Sequence, residues 1–506
     1  MKSRLLKFFF RDPSKWPFWF FVAFLFKLFF FVFQISTHIH QTEIPGFFGY
    51  IWGDTWSYLD PIDKLVKKGS YWPDYRMPGY GLAYLPLIII FSKATACNLL
   101  IIIQLLLASL SVYVLALTAK KIFHTNTAFY TTFYVFALSC LSNLYDAALQ
   151  TESLTVSFLI FSTWFLIRYF DDFSKRKLLL SGFFLGWVIF LRPVFAPLLA
   201  FYVVILISQH VKIKKNFIYA VLLFLIPFSL MDGLWIARNY KCYKSIIPLY
   251  HYSGIYPVEI YTQIGPASQF VKSYGGDYDW WEADADIRWF GRKADPAGRI
   301  PLTDQEVHPP SYIYTSKFNE DSLKKLKVIF MQLEAENYDW TDSSSELGQK
   351  FHYLRDKFAS YAASIKQEKP FIYYVRGPLK ALKKFMVYSG TDDLFYYIQD
   401  NKLSAGQYLF KIFYCGFYIM VLVFGFLGII LISKNTPKLP FQSIIFVLPV
   451  YVVVIHPIIL RLFERRYFLP AWPFLIICAL YGAFWVYNKT FGIKHPIIFS
   501  AIENYS

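Results

Sequence analysis

A few short clusters of acidic, basic and aromatic residues interrupt an otherwise apolar chain, and they are where chemistry would reside. The first is Gly-Asp-Thr-Trp-Ser-Tyr at 53–58, in which Asp54 and Tyr58 stand at i, i+4 and share one helix face. Tyr-Arg-Met-Pro-Gly-Tyr at 75–80 places Arg76 in a turn ahead of an apolar run. Asp146 precedes Gln-Thr-Glu-Ser at 150–153, with Glu152 at the mouth of another apolar run. Leu-Arg-Pro at 191–193 brings Arg192 into a break between two such runs. Trp-Ile-Ala-Arg-Asn-Tyr at 235–240 carries Arg238 and Asn239, and Phe-Glu-Arg-Arg-Tyr-Phe-Leu-Pro at 463–470 carries Glu464, Arg466 and Tyr467. A carboxylate can orient and deprotonate an acceptor hydroxyl or hold a divalent cation. Arginines neutralise a phosphate or pyrophosphate leaving group with charge-assisted, often bidentate bonds. Each cluster also has a plain reading: acidic residues cap helices, and Trp, Tyr and Arg anchor helix ends at a membrane surface. A carboxylate such as Glu152 against an apolar run nevertheless requires a partner, a cation or water. His38, His40 and Glu43 form a further polar group, which a metal could use only with geometry that a loop does not assure, and His456 beside Pro457 reads as structural.

The elements that must position these groups are membrane helices. Of 506 residues, 56% are hydrophobic and 21% aromatic, and the mean hydropathy is +0.37. A soluble domain would be nearer about 45–50% apolar. The net charge of +17 would fit nucleic acid in a soluble chain. Here the basic residues lie between apolar runs, where the positive-inside rule accounts for them. The cysteines, Cys97, Cys140, Cys242, Cys415 and Cys478, show neither a pairing framework nor metal spacing. A helix needs about 20 apolar residues to cross hydrocarbon. Runs at 16–35, 97–119, 125–142, 153–170, 178–191, 194–209, 217–236, 407–433, 440–459 and 468–487 meet or approach that length, predicting an all-α polytopic protein of about ten spans. The first run is too long for a cleaved leader and reads as a retained span, with Lys27 costly in its middle unless partnered. The run 79–93 is short and reads as a helix packed in the interface.

Basic residues at 120–121, 175–177, 212–215 and 434–438 place those turns, and both termini, in the cytoplasm. The loops 36–96 and 238–406, and the turns near Asp146 and at 461–467, then lie outside, so the arginines and carboxylates converge on one face. Three regions result: a transmembrane module 1–237, an outer, mostly helical loop domain 238–406, and C-terminal spans 407–506. Within the outer domain, helices are expected over 321–337 and 345–366, and 371–388 reads as an amphipathic helix lying in the interface.

The ordered set of motifs resembles the GT-C superfamily of integral membrane glycosyltransferases, in particular the protein O-mannosyltransferase and lipid A aminoarabinose transferase group. Asp54, Tyr58 and Gly69 match the pattern after the first span, with Thr55 where a second acid is usual. Arg76, Pro78, Gly79 and Tyr80 match the Arg-x-Pro-Gly-Tyr entry, and Thr151 and Glu152 the later Thr-Glu. Arg192 with Pro193, Arg238 with Asn239 and Tyr240, and Arg466 with Tyr467 and Pro470 match the remaining motifs. The resemblance covers about 10–260 and 405–485. It implies inverting transfer of one sugar from a polyprenyl-phosphate donor to a glycan, lipid or protein acceptor outside the cytoplasm, within the bilayer and without nucleic acid. Asp54 would be the general base, with Glu152 and Asp146 supporting it or holding a divalent cation. Arg238 and Arg466 would bind the lipid phosphate, with Arg76 and Arg192 behind them and Tyr58, Asn239, Glu464 and Tyr467 lining the site. A C-terminus without a retention signal favours a bacterial inner membrane with a periplasmic active face. Competing readings are a polymerase or ligase acting on lipid-pyrophosphate glycans, which needs no acid after the first span, and a non-catalytic envelope-assembly protein. A transporter would often show repeated halves and broken helices with mid-membrane polar groups, whereas this sequence shows no repeat and clusters its ionisable residues at one surface.

Overall fold

The computed structural model describes residues 10–38, 44–51, 54–72, 76–249, 265–276, 310–335, 344–394, 403–435, 443–462 and 464–491. These residues form helices and no β-strand beyond two isolated bridges. The helices are α1 (Trp16–His38), α2 (Thr55–Lys68), α3 (Gly79–Ile90), α4 (Lys93–Phe123), α5 (Asn126–Leu138), α6 (Thr151–Asp172), α7 (Lys175–Leu191), α8 (Pro197–Lys212) and α9 (Phe217–Tyr243). They continue as α10 (Gly265–Ser273), α11 (Glu320–Ala335), α12 (Glu346–Glu368), α13 (Gly377–Met386), α14 (Ala405–Asn435), α15 (Ser443–Val453) and α16 (Trp472–Phe491).

Among the described residues, eight helical segments are long and apolar enough to cross a membrane: Trp16–Ser36, Lys93–Phe123, Thr151–Asp172, Pro193–Lys212, Phe217–Tyr243, Ala405–Lys434, Ser443–Leu460 and Arg465–Phe491. The protein is therefore an all-α, multi-pass membrane protein. Two expected spans are shorter than that. The run at 178–191 is the 17-residue α7. The run at 125–142 is the 13-residue α5, which ends at Ser139 in extended backbone (φ −64°, ψ 123°). Ser142 Oγ donates to the carbonyls of Phe136 and Ser139, and Asn143 Nδ2 donates to Ala137 and Ser139. Polar side chains that bond back onto the backbone compete with helix continuation, which is why an apolar run breaks there. The 12 residues of α3 extend about 18 Å, short of the ~30 Å hydrocarbon core, as its sequence length implies.

The chain forms two compact units, one of residues 1–251, 388–451 and 469–506, the other of 252–387 and 452–468. In the first, Trp19 of α1 is fully buried and meets Phe129 and Phe133 of α5 edge-on, with ring centroids 5.1 and 4.9 Å apart. Helices α6 and α7 exchange hydrogen bonds of 2.9 Å between the hydroxyls and carbonyls of Ser162 and Ser181. Helices α14 and α16 approach closely at Gly428. The second unit is organised on α10, α11 and α12, with Phe270, Phe318, Leu354, Phe358 and Ile365 at its core. Its helices α11 and α12 lie where the periodicity of 321–337 and 345–366 predicts them.

A Cβ at Gly428 would lie 1.8 Å from the carbonyl oxygen of Cys478, which belongs to backbone and cannot rotate away. Close backbone approach through small residues is how membrane helices gain packing without a hydrophobic drive between them. Gly428→Leu is expected to separate α14 from α16 and to cost about 3 kcal/mol or more, at the upper end for overpacking. Thermal unfolding of the purified protein in detergent checks it; an unchanged midpoint would contradict the contact.

Candidate active site

The centre of the first unit is a segment that is neither helix nor loop surface. Residues 139–150 between α5 and α6 are buried throughout, apart from one short helical turn they are irregular, and they require partners for their backbone groups. Side chains from distant helices supply them. Lys27 Nζ donates to Ser142 O at 2.8 Å, Gln34 Nε2 to Leu144 O at 2.8 Å, and Tyr50 OH to the same carbonyl at 2.6 Å. Gln104 Nε2, midway along α4, donates to Ala148 O at 3.0 Å. Thr55 Oγ1 donates to Leu149 O at 3.0 Å. The backbone of Tyr50 completes the set, its N–H donating to Ala147 O at 3.0 Å and its carbonyl accepting from Leu149 N at 3.3 Å.

Asp146 lies inside this segment. Its carboxylate accepts from Lys27 Nζ at 2.8 Å and from Ser153 Oγ at 2.6 Å, and the side chains of the ion pair are 1% and 3% exposed. The lysine that the sequence marks as costly thus has its partner 119 residues away. Glu152 follows in the first turn of α6. It forms an ion pair with Arg192 Nη2, and Arg192 Nε donates to Thr151 Oγ1 at 3.0 Å. Arg192 sits in extended backbone where α7 ends against Pro193, so the Leu-Arg-Pro break presents the guanidinium to the start of α6.

Asp54 and Arg76 form the third pair, at 2.8 Å between Oδ1 and Nη2. It differs from the others in access: the side chains of Asp54 and Arg76 are 19% and 34% exposed, whereas that of Glu152 is 1% exposed. Asp54 stands at the N-cap of α2, yet its side chain makes no capping hydrogen bond. The carboxylate is directed to Arg76 instead, which sets aside the plain capping reading of this residue. The Arg76 guanidinium lies 5.2 Å from the Tyr58 ring centroid, and Tyr58 stands 5.6 Å from Tyr80. Tyr80 OH donates to Gln104 Oε1 at 2.6 Å, which joins this pair to the irregular segment. The preceding Gly79 is packed so tightly that a Cβ would fall 2.5 Å from the carbonyl oxygen of Phe190. The Arg-x-Pro-Gly-Tyr and Leu-Arg-Pro motifs are thereby locked together.

Arg238 is held differently. Its Nη2 donates to Tyr71 O at 2.8 Å and its Nη1 to Asn239 Oδ1 at 3.0 Å. The guanidinium lies 5.7, 5.0 and 5.8 Å from the rings of Tyr71, Trp235 and Tyr243. Asn239 Nδ2 donates to Ile247 O at 3.0 Å, so both polar atoms of this residue bind the protein. Tyr71 OH donates to Arg76 O at 3.2 Å, so Arg238 reaches Arg76 through one residue. In the second unit, Arg466 pairs with Glu464 and lies 5.5 Å from the Tyr467 ring, and Tyr467 in turn packs 5.1 Å from His456.

Sequence reasoning singles out the charged members of this arrangement but not its supports. Gln34, Tyr50, Gln104 and Tyr71 carry no motif; the available signal is an amide, Gln34 or Gln104, in an otherwise apolar helix. Thr55 is noted only as a missing acid. Its hydroxyl donates to a carbonyl, a role that an ionised carboxylate, an acceptor only, is unable to fill. His40 and Glu43 lie outside the described residues. Among the described residues no group of three or more His, Cys, Asp or Glu side chains stands at metal-binding spacing. Asp54, Glu152 and Asp146 each face a cationic side chain.

Residues 88–231, which contain Asp146, Glu152 and Arg192, match the dolichyl-phosphate-mannose-protein mannosyltransferase family. The match supports a membrane glycosyltransferase of the GT-C superfamily. It spans the irregular segment, both helices around it and the Leu-Arg-Pro break, and it leaves Asp54, Arg76 and Arg238 outside its bounds. No curated protein matches the chain.

Two outcomes follow from the buried supports. Lys27→Met strands the Asp146 carboxylate and is expected to cost about 3–5 kcal/mol, as for breaking a buried ion pair. Adding Asp146→Asn removes the stranded charge and is expected to recover part of that loss; thermal unfolding of the two variants beside wild type checks both. Thr55→Val leaves Leu149 O without its donor and is expected to cost about 1–3 kcal/mol by the same measurement.

Proposed function

We propose that this protein transfers a sugar from a polyprenyl-phosphate donor to an acceptor hydroxyl on the extracytoplasmic side of the membrane, with inversion at the anomeric carbon. The observation that carries the reading is the partly exposed Asp54–Arg76 pair, which sets a proton acceptor beside a guanidinium. Asp54 takes the proton of the acceptor hydroxyl as its oxygen bonds to the anomeric carbon. The bond from that carbon to the phosphate oxygen breaks in the same displacement, and the lipid phosphate leaves with its negative charge facing Arg76. A single displacement of this kind inverts the centre.

The other groups fall into supporting places. Glu152 and Arg192 hold the start of α6 against the end of α7, and the low exposure of Glu152 favours a role in shaping the site over contact with substrate. Asp146 anchors the irregular segment through Lys27. Arg238 positions Arg76 through Tyr71, with its own guanidinium engaged by carbonyl, amide and rings. That arrangement favours Arg76 over Arg238 as the residue facing the lipid phosphate. Glu464 and Arg466 pair with each other within the second unit, beside Tyr467. The retained lipid tail of such a donor suits a chain with this many apolar spans. The family match supports the donor class, and a bacterial inner membrane with a periplasmic active face completes the proposal.

The test is turnover of purified protein with a panel of radiolabelled polyprenyl-phosphate sugars. Wild type is expected to transfer label or hydrolyse donor. Asp54→Asn, folded as judged by an unchanged unfolding midpoint, is expected to lose about 10²–10⁴-fold in kcat, the usual worth of a general base. Arg76→Gln is expected to lower kcat while Arg76→Lys retains part of it, because the charge remains and the fork is lost. Full activity in folded Asp54→Asn would remove it as the base. Turnover only with pyrophosphate-linked oligosaccharides would replace the donor class.

A further inference from the structure

The second unit carries a surface that the proposed reaction does not use. Residues 371–387, a wide helical turn (Ile372–Arg376) running into α13, are amphipathic, with one side packed and the other open. On the open side Phe371, Tyr374, Leu379 and Val387 are 68%, 58%, 57% and 68% exposed. Lys380 and Lys383 are exposed at intervals along the same stretch. Within α13, Leu379, Lys380 and Lys383 form a stripe opposite the buried Ala381 and Phe385, and Phe371, Tyr374 and Val387 are exposed on either side of it along the chain. Four large apolar side chains exposed in this way are costly in water, and contiguous patches of this kind mark an interaction surface.

The packed side shows what the stripe faces. Phe385 stacks on His456 with ring centroids 5.9 Å apart and planes 14° from parallel. His456 belongs to the span Ser443–Leu460 and lies near its end. One residue beyond that span, Arg461 donates from Nη2 to Tyr373 O at 2.6 Å and from Nη1 to Lys272 O at 3.0 Å, with its guanidinium 4.0 Å from the Tyr373 ring. Burial lowers the pKa of this arginine, consistent with a side chain committed to carbonyls and a ring. The helix is therefore clasped, at both ends of its packed side, to residues at the end of a helix long and apolar enough to cross a membrane.

We propose that the stripe Phe371–Val387 rests in the headgroup layer of the same bilayer, with its lysines on anionic lipid phosphates. A helix tied at the level of a span's end and carrying aromatics with Lys along its open side has the composition of an interfacial helix. The apolar residues enter the boundary between headgroups and chains, and the ammonium groups snorkel to the phosphates. The inference is independent of the reaction proposed above, since no residue of 371–387 takes part in that reaction.

The experiment uses the full chain in nanodiscs. Leu379→Cys is labelled with an environment-sensitive fluorophore in a background where the accessible Cys242 and Cys415 are Ser, with Tyr353→Cys on the exposed face of α12 as the reference position. Lipids bearing a doxyl quencher near the headgroup are expected to quench the label at 379 and not at 353. Quenching is expected to be at least two-fold stronger in discs with anionic lipid than in zwitterionic discs, and Lys380→Gln with Lys383→Gln is expected to remove that difference. Equal quenching at 379 and 353, or none at 379, would overturn the lipid contact, the latter showing a protein surface over the stripe. Quenching at 379 that ignores lipid charge would overturn the role of the lysines.

Discussion

An irregular backbone inside an apolar helix bundle is permitted only if every peptide group finds a partner in the protein, because hydrocarbon offers none. Many of the backbone groups of residues 139–150 are bonded by side chains drawn from α1, α2, α4 and the stretch before α2, and the Lys27–Asp146 pair adds a charged tie. The pair has a dual effect. It neutralises a lysine that α1 would otherwise carry unpaired through lipid, and it fixes the end of the segment from which Thr151 and Glu152 emerge. The positions of α1, α4 and α6 around the site thus depend on one buried charge pair and a ring of amide and hydroxyl donors.

Burial then sorts the carboxylates. Asp146 and Glu152 are sealed against Lys27 and Arg192, where a low dielectric makes a paired charge stable and an unpaired one costly. Asp54 pairs with Arg76 at the edge of the same cluster, where both side chains remain partly exposed. Tyr58, Tyr80 and Gln104 connect this outer pair to the buried one, so a change in either is felt by the other.

The second unit follows a simpler logic. Its aromatic core of Phe270, Phe318 and Phe358 closes without help from charge, and Arg461 joins it to the chain leaving a span by bonding the carbonyls at the end of α10. A cation at a helix C-terminus satisfies carbonyls that the helix leaves without partners, and it opposes the negative end of the dipole.

The all-α membrane class was legible in the sequence because about 20 apolar residues in a row have few other uses, and most spans lie within a few residues of their apolar runs. The charged members of the site were legible because charge beside such runs is costly and stands out. The early end of α5 was less so: its run is apolar enough to continue, and only the back-bonding of Ser142 and Asn143 stops it. The pairings were not legible at all. Nothing along the chain ties Lys27 to Asp146 rather than to Glu152, since an ion pair is chosen by the three-dimensional register of helices and not by sequence distance. The same holds for Thr55, which reads as a lost acid in sequence and as a hydrogen-bond donor to Leu149 in the fold. The sequence by itself determined that this chain lives in a membrane and which residues had to find partners. Tertiary structure decided which partners they found, and left Asp54 and Arg76 more exposed than Glu152, because burial and hydrogen-bond satisfaction are properties of the packed bundle and not of any one helix.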